Sequence, residues 1–248
     1  MPEPTGGWNV VKSPQYVEEA TYGVLPGTPT FNWIGIIGSW DPKADMRSLL
    51  VRRLGAEDLV GTVKGAEQYE AALDYLLQDS VFARYGVNAQ GGGAGSIDKS
   101  LSILYSQKLS GTEYYVQLNG VRPNRVSLHG RAGEALRCRM DLWAQKMPLP
   151  SATGPTGATY ATPATTNPWM FSDGVSNPVQ WGSYNLDVRE IEVEIARNLE
   201  RVHVLGGSQV KYLPAKHREI RGTLTILWED VNQYTDLTGD AKRNLTWV

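Results

Sequence analysis

The chain has 248 residues, with 24 Lys+Arg against 26 Asp+Glu and a single cysteine. A balance this close to neutral supplies no bulk field for wrapping nucleic acid or gripping an anionic membrane, and a lone thiol excludes a disulfide framework. No run of about 18 apolar residues is present to cross a bilayer as a helix. Plentiful Gly and Thr, eight tryptophans and few helix-suited stretches favour one all-β sandwich or barrel at this length.

The start, MPEPTGGWNV, lacks the apolar heart of a secretory signal, so the chain is expected to stay in a cytoplasm-like compartment until released. Residues 1–30 meet a Pro or Gly every few positions and read as an extended arm with little regular structure. The domain proper is then 31–248. Phe31 to Trp40, FNWIGIIGSW, reads as the first core strand, its glycines marking a bulge or a close backbone approach. Asp41-Pro42-Lys43-Ala44-Asp45 reads as a loop, and Ser48 to Leu54 as the returning strand.

Leu59 to Leu77 is ambiguous. Tyr69, Ala71, Leu73, Tyr75 and Leu77 fit a strand; Tyr69, Ala72, Leu73, Leu76 and Val81 fit a helix, which propensity favours. A short helix is expected next, capped by Asp79, burying Val81, Phe82 and Tyr85 and ending at Gly86. Residues 88–96, NAQGGGAGS, read as a flexible linker. They lack the Walker Lys-Ser/Thr pair, and the dinucleotide fingerprint fails at Ser96, so no nucleotide site is expected.

Lys99 to Leu109 reads as a strand leading into the clearest stretch of the chain, Glu113 to Lys146. There, positive-φ-tolerant Asn119-Gly120 and Pro123-Asn124 predict two turns and a three-strand meander. In its last strand Leu136, Cys138, Met140 and Leu142 alternate with Arg137, Arg139, Asp141 and Trp143, which puts Cys138 in the core as a small hydrophobe. Residues 148–169 form a Pro/Thr/Gly/Ala loop too poor in apolar surface for a core of its own: a lid on an enzyme, or in an assembly an arm that orders only against a neighbour. From Trp181 to Asn198, Ile191, Val193 and Ile195 alternate with an acidic stripe of Glu190, Glu192 and Glu194. From Lys216 to Asp230, Ile220, Leu224, Ile226 and Trp228 alternate with Arg221, Thr223, Thr225 and Leu227, and the closing NLTWV is again strand-like.

Catalytic chemistry is not signalled. His129, His203 and His217 are dispersed without metal-ligand spacing, and Ser127 and His129 lack a nucleophile elbow. Three glutamates in a row on one strand face are unsuited to an acid/base pair across a cleft. Asn244-Leu245-Thr246 is a glycosylation sequon without a secretory signal to give it meaning. The tryptophans allow a sugar-stacking module, yet Trp33, Trp143, Trp181 and Trp228 all fall in predicted strands, where packing is the commoner use.

Five strings, in order, resemble the tail tube proteins of long-tailed bacteriophages and archaeal viruses. They are Glu19-Ala20-Thr21-Tyr22-Gly23, the D-P-K-x-D of Asp41 to Asp45, the YxxLxG of Tyr115 to Gly120 with the long alternating strand after it, Arg197-Asn198-Leu199-Glu200, and R-E-I-x-G-x-L-T from Arg218 to Thr225. The resemblance implies an antiparallel two-sheet β-sandwich or barrel with one short flanking α-helix and long loop arms, and a strand through Leu77. It further implies hexameric rings stacked into a hollow tube for double-stranded DNA, with no enzyme activity, cofactor, metal or membrane. The implied partners are further copies of the chain, the tape measure, tail terminator and baseplate proteins. Its place is the virion tail after assembly in the host cytoplasm. Because DNA must slide without sticking, Glu190, Glu192 and Glu194 are expected to line the channel. The arms, with Asp41, Pro42, Lys43, Asp45, Ser151, Thr156, Tyr160 and Trp169, are expected between subunits. The alternatives are another tail or baseplate ring component and a carbohydrate-binding module.

Overall fold

The computed structural model describes residues 9–52, 59–87, 99–170, 179–181, 184–205, 207–227 and 245–246. Its strands in chain order are β1 (Asn9–Glu18), β2 (Thr30–Trp33), β3 (Ile36–Arg52), β4 (Leu59–Leu76), β5 (Leu101–Leu109), β6 (Thr112–Arg131), β7 (Arg137–Ala144), β8 (Thr159–Tyr160), β9 (Val179–Trp181), β10 (Tyr184–Ala196), β11 (Glu219–Leu227) and β12 (Leu245–Thr246). One short helix, α1 (Ala83–Val87), interrupts them. The all-β expectation with a single short helix holds, and β4 resolves the ambiguous segment as a strand. Residues 88–96 and Trp228 lie outside the described residues.

Two layers share one strand. The first half of β6 pairs with β5, which pairs with β1 and, through it, with β2 and β8. The second half pairs with β7 on one side and β10 on the other, giving a six-stranded layer in the order β11-β10-β6-β7-β4-β3. Between the layers lies the main core, in which Leu73, Tyr75, Cys138, Met140 and Leu142 of one layer meet Tyr16, Leu101, Ile103 and Leu118 of the other. Phe82 of the helical turn closes it against Tyr16 and Tyr75, with ring centroids 4.8 and 5.8 Å away.

The expected three-strand meander is corrected. Asn119-Gly120 and Pro123-Asn124 do not close turns; they lie inside the continuous β6, at the corner where it leaves one layer for the other. Gly120 has φ 64°, and the register shifts between Pro123 and Arg125. A left-handed residue and a residue without an N–H suit a strand changing partners as well as they suit a hairpin. A Cβ at Gly120 would also lie 2.6 Å from that of Gln145.

The loop expected at Asp41 to Asp45 is also corrected, because β3 runs straight through it, with Pro42 opposite Ala71 and Asp45 opposite Gln68. β3 has no second partner among the described residues, and an edge strand tolerates a proline whose missing donor costs the ladder nothing. Phe31 to Trp40 is two strands, parted at Gly35, whose φ is 144°. The arm over residues 1–30 contains regular structure after all, since β1 lies antiparallel to β5 and β2. Asp79 accepts a hydrogen bond from the Val81 N–H at 2.9 Å, but in the turn ahead of α1, which begins at Ala83 and ends at Val87 rather than Gly86, and Val81 itself is 39% exposed and leaves the buried stripe to Phe82.

The loop 148–169 is ordered on its own chain. Ser151 bridges Tyr115, β8 pairs in parallel with β2, and Tyr160 stacks on Phe31 with centroids 5.7 Å apart. It thereby caps the β2 edge, which answers the expectation that it orders only against a neighbour.

Candidate functional site

The side of the six-stranded layer turned away from the core is a charged face. Strand alternation puts Arg125, Ser127, His129 and Arg131 of β6, Arg137, Arg139 and Asp141 of β7, and Glu190, Glu192 and Glu194 of β10 on it together. Asp74 sits across the ladder from Arg139, and Arg221 across from Glu194. A shallow depression of about 380 Å³ on this face is lined by Asp74, Arg125, His129, Arg139, Glu192 and Glu194.

The three glutamates read as a bare acidic stripe in sequence, yet the sheet brings basic side chains to them. Glu190 lies 2.7 Å from His129 Nε2, Glu194 lies 3.4 Å from Arg125 Nε, and Glu192 is opposite His129 in the ladder. The remaining pairs are longer: Arg131 to Glu134 at 3.8 Å and Arg139 to Asp141 at 3.9 Å. These side chains are substantially exposed, so each pair is worth about 1 kcal/mol at most. The face is a mixed-charge lattice in which no sign dominates.

One end of this face is roofed by the segment after β10. The string Arg197 to Glu200 marks the strand's end, where Asn198 takes φ 48° and the Asn124 side chain accepts the Leu199 N–H at 2.9 Å. Leu199, Val210 and Leu213 then pack with Trp143, over whose ring the Arg201 guanidinium stands at 3.6 Å while pairing with Glu70. Trp143 is thus covered and offers no open platform for a sugar, while the half-buried Trp33 donates its indole N–H to Gln78 Oε1 at 3.0 Å.

The same layer ends in two edges. β3 pairs only with β4 and β11 only with β10 among the described residues. The alternation of Ile220, Leu224 and Ile226 does not bury them fully. Ile220 is 59% exposed and the other two only half-buried, because β11 is an edge with little of this chain packed over it. At the opposite edge, β3 and β4 continue as a two-stranded ribbon from Asp45/Gln68 to Arg52/Leu59, beyond the last pairing of β4 with β7 at Tyr69. At about 3.3 Å per residue that is a projection of roughly 25 Å, and a lone two-stranded ribbon is marginal in water. Its root is fixed by Glu67, 2% exposed, which accepts from the Tyr69 hydroxyl at 2.6 Å and the Ser208 hydroxyl at 2.9 Å. On the edge itself Asp41 lies 2.9 Å from Lys43 Nζ and holds that lysine above its ordinary pKa.

Of the residues singled out from sequence, Asp41, Pro42, Lys43 and Asp45 lie together along the β3 edge, and Ser151, Thr156 and Tyr160 on the strap that caps β2. Trp169 is at the other end of the strap, donating its N–H to the Leu77 carbonyl at 2.8 Å. Sequence reasoning passed over the arginines facing the glutamates, since the register that joins them is not visible in any one strand.

It also passed over the node built on Glu19. That side chain, 7% exposed, accepts hydrogen bonds from the Gly23 N–H at 2.7 Å, the Gly120 N–H at 2.8 Å, and the Ser100 and Ser102 hydroxyls at 2.5 and 2.7 Å. It ties the end of β1 to the start of β5 and to the corner of β6. Gly23, with φ 72°, has the Gln145 side chain where a Cβ would stand.

Among the described residues no helix is long and apolar enough to cross a membrane, and no three His, Cys, Asp or Glu side chains group to hold a metal. A family model described as phage tail tube protein matches residues 15–248. Comparison with curated proteins returned no match.

Proposed function

Since the chain belongs to the phage tail tube protein family, we propose that it is the repeating subunit of a hollow tail tube through which double-stranded DNA reaches the host cell. Copies join laterally through the β3 and β11 edges of the six-stranded layer into closed, hexameric rings, and the rings stack. The observation that carries this reading is the layer's construction: one face buried in a core, one face polar, and, among the described residues, two single-partner edges on opposite sides. Unpaired backbone groups on one copy complete the ladder of the next, which removes the exposed edges that would otherwise recruit strands at random. A head-to-tail contact that closes makes a ring, and one that does not close makes a filament.

In this arrangement the charged face with Glu190, Glu192 and Glu194 lines the bore. The β3 edge at Asp41, Pro42, Lys43 and Asp45 and the ribbon beyond it meet a neighbouring subunit. The outer side of the strap, at Ser151, Thr156, Tyr160 and Trp169, is left for contacts between rings. No reaction is involved: the tube conducts DNA by holding a bore that neither grips nor blocks it. The tape measure, terminator and baseplate proteins meet the tube at its inside and ends in the virion tail, after assembly in the host cytoplasm.

Electron microscopy of the purified chain tests the assembly, with hollow tubes of uniform bore as the expected result; particles that remain single under all polymerising conditions refute it. Placement of the face is tested with Glu192→Cys. The one native thiol, Cys138, is fully buried, so the new thiol is the reactive one. A bulky maleimide is expected to label dissociated subunits and to be blocked in tubes, and equal labelling of both puts this face on the outside.

A further inference from the structure

The charge lattice carries a consequence for DNA that a bare acidic stripe does not. We infer that the polar face is a latent DNA-binding surface, built on Arg125, Arg131, Arg137 and Arg139, and that Glu190, Glu192 and Glu194 hold it silent. This deepens the tube reading and rests on it for its biological setting.

The arginines are placed for phosphate. Arg137 and Arg139 are two residues apart on one face of β7, roughly 7 Å along the strand, and the neighbouring β6, about 4.8 Å away, carries Arg125 and Arg131 on the same face. Their ion pairs are long and solvent-exposed, at 3.4 Å for Arg125, 3.8 Å for Arg131 and 3.9 Å for Arg139. Such pairs release a guanidinium at little cost. Opposing them, β10 runs antiparallel to β6 and sets one carboxyl beside each basic residue of β6 on this face: Glu194 by Arg125, Glu192 opposite His129, and Glu190 opposite Arg131. A phosphate approaching Arg125 or Arg131 meets the three carboxylates one strand spacing away, about 4.8 Å and inside the Debye length of about 8 Å at physiological salt. One approaching Arg137 or Arg139 meets them two spacings away, where screening weakens but does not abolish the repulsion. The glutamates therefore cancel an attraction that the sheet would otherwise exert. A bore lined this way is passable because it is neutralised locally, without relying on repulsion.

The test is DNA binding by the full-length soluble chain, measured by fluorescence anisotropy with a short labelled duplex over a salt series. Wild type is expected to bind negligibly, and E190Q/E192Q/E194Q to bind with a salt slope set by about three phosphate contacts. At about 0.9 per contact that slope amounts to a roughly 40-fold loss of affinity between 50 and 200 mM salt. Adding R137A/R139A is expected to remove two contacts and cut that loss to about 3-fold over the same range. The masking is overturned if the triple variant binds no better than wild type, or if its salt slope is unchanged when Arg137 and Arg139 are gone. Should the triple variant fold poorly by circular dichroism, E192Q alone is the substitute; it must bind more tightly than wild type, and failure to do so overturns the inference. Maleimide labelling of Glu192→Cys reports separately on where the face lies in the tube. Labelling in tubes together with a DNA-binding triple variant thus rejects the lumen and keeps the masking.

Discussion

Glu19→Ala removes the acceptor shared by two backbone amides and two hydroxyls in a nearly solvent-free corner. The hydroxyls re-aim by rotation, and Ser102 already reaches the Asn119 side chain at 3.1 Å. The amides of Gly23 and Gly120 are fixed by the backbone, and each buried donor left without its acceptor costs about 1–3 kcal/mol, a combined loss of about 2–6 kcal/mol. Set against a total stability on the order of 5–15 kcal/mol, that is a large fraction. With a urea slope of about 2–3 kcal/mol/M the unfolding midpoint falls by roughly 1–3 M. The assay is urea unfolding followed by circular dichroism, with the subunit kept below its polymerising concentration. Glu19→Gln keeps one oxygen acceptor and is expected to lose less. A loss below about 1 kcal/mol for the alanine variant would mean that the amides find water or another acceptor, and the account of this node would be wrong.

Gly120→Ala combines a left-handed φ, costing about 1–2 kcal/mol, with a Cβ 2.6 Å from that of Gln145, and is expected to lower the thermal midpoint by several degrees; an unchanged midpoint argues against the corner. Deleting residues 151–166 uncovers Phe31 and strips Gln15 and Gln78 of carbonyl partners, so the isolated subunit itself should become protease-sensitive. A deleted chain that resists protease and merely fails to polymerise would return the strap to a purely inter-subunit role. Burial pushes the Cys138 thiol and the Tyr105 phenol each up to about 12, so both stay neutral in the fold where the unfolded chain ionises. Their contribution is whole below the unfolded values of about 8.5 and 10 and is lost as pH climbs towards the folded ones. Stability that stays flat across this alkaline window would contradict it.

Alternation was the legible part of the chain. Leu136 to Trp143 and Glu190 to Ile195 follow a period of two because one side of each strand is core, and that constraint acts residue by residue. Turn chemistry misled at Asn119-Gly120, Pro123-Asn124 and Asp41 to Asp45, because a local φ preference is equally served by a bend inside a strand, and the choice is made by partners far away in sequence. The same distance hid the Glu19 and Glu190 clusters. Glu19 finds its donors at residues 100, 102 and 120, and Glu190 finds its imidazole partner at residue 129, so neither is written in any local pattern. The Glu19 string was visible as a family likeness, without the hydrogen bonds that account for it.

The continuity of β6 through both layers has a mechanical meaning. A sandwich whose two sheets touch only through side chains shears by sliding, since dispersion contacts have no memory of position. Here twenty residues of unbroken backbone belong to both sheets, so the two layers of each subunit are stitched by covalent bonds. In the proposed tube, torque or tension on the wall would travel along peptide bonds from one skin to the other, and the pipe would flex as a single laminate.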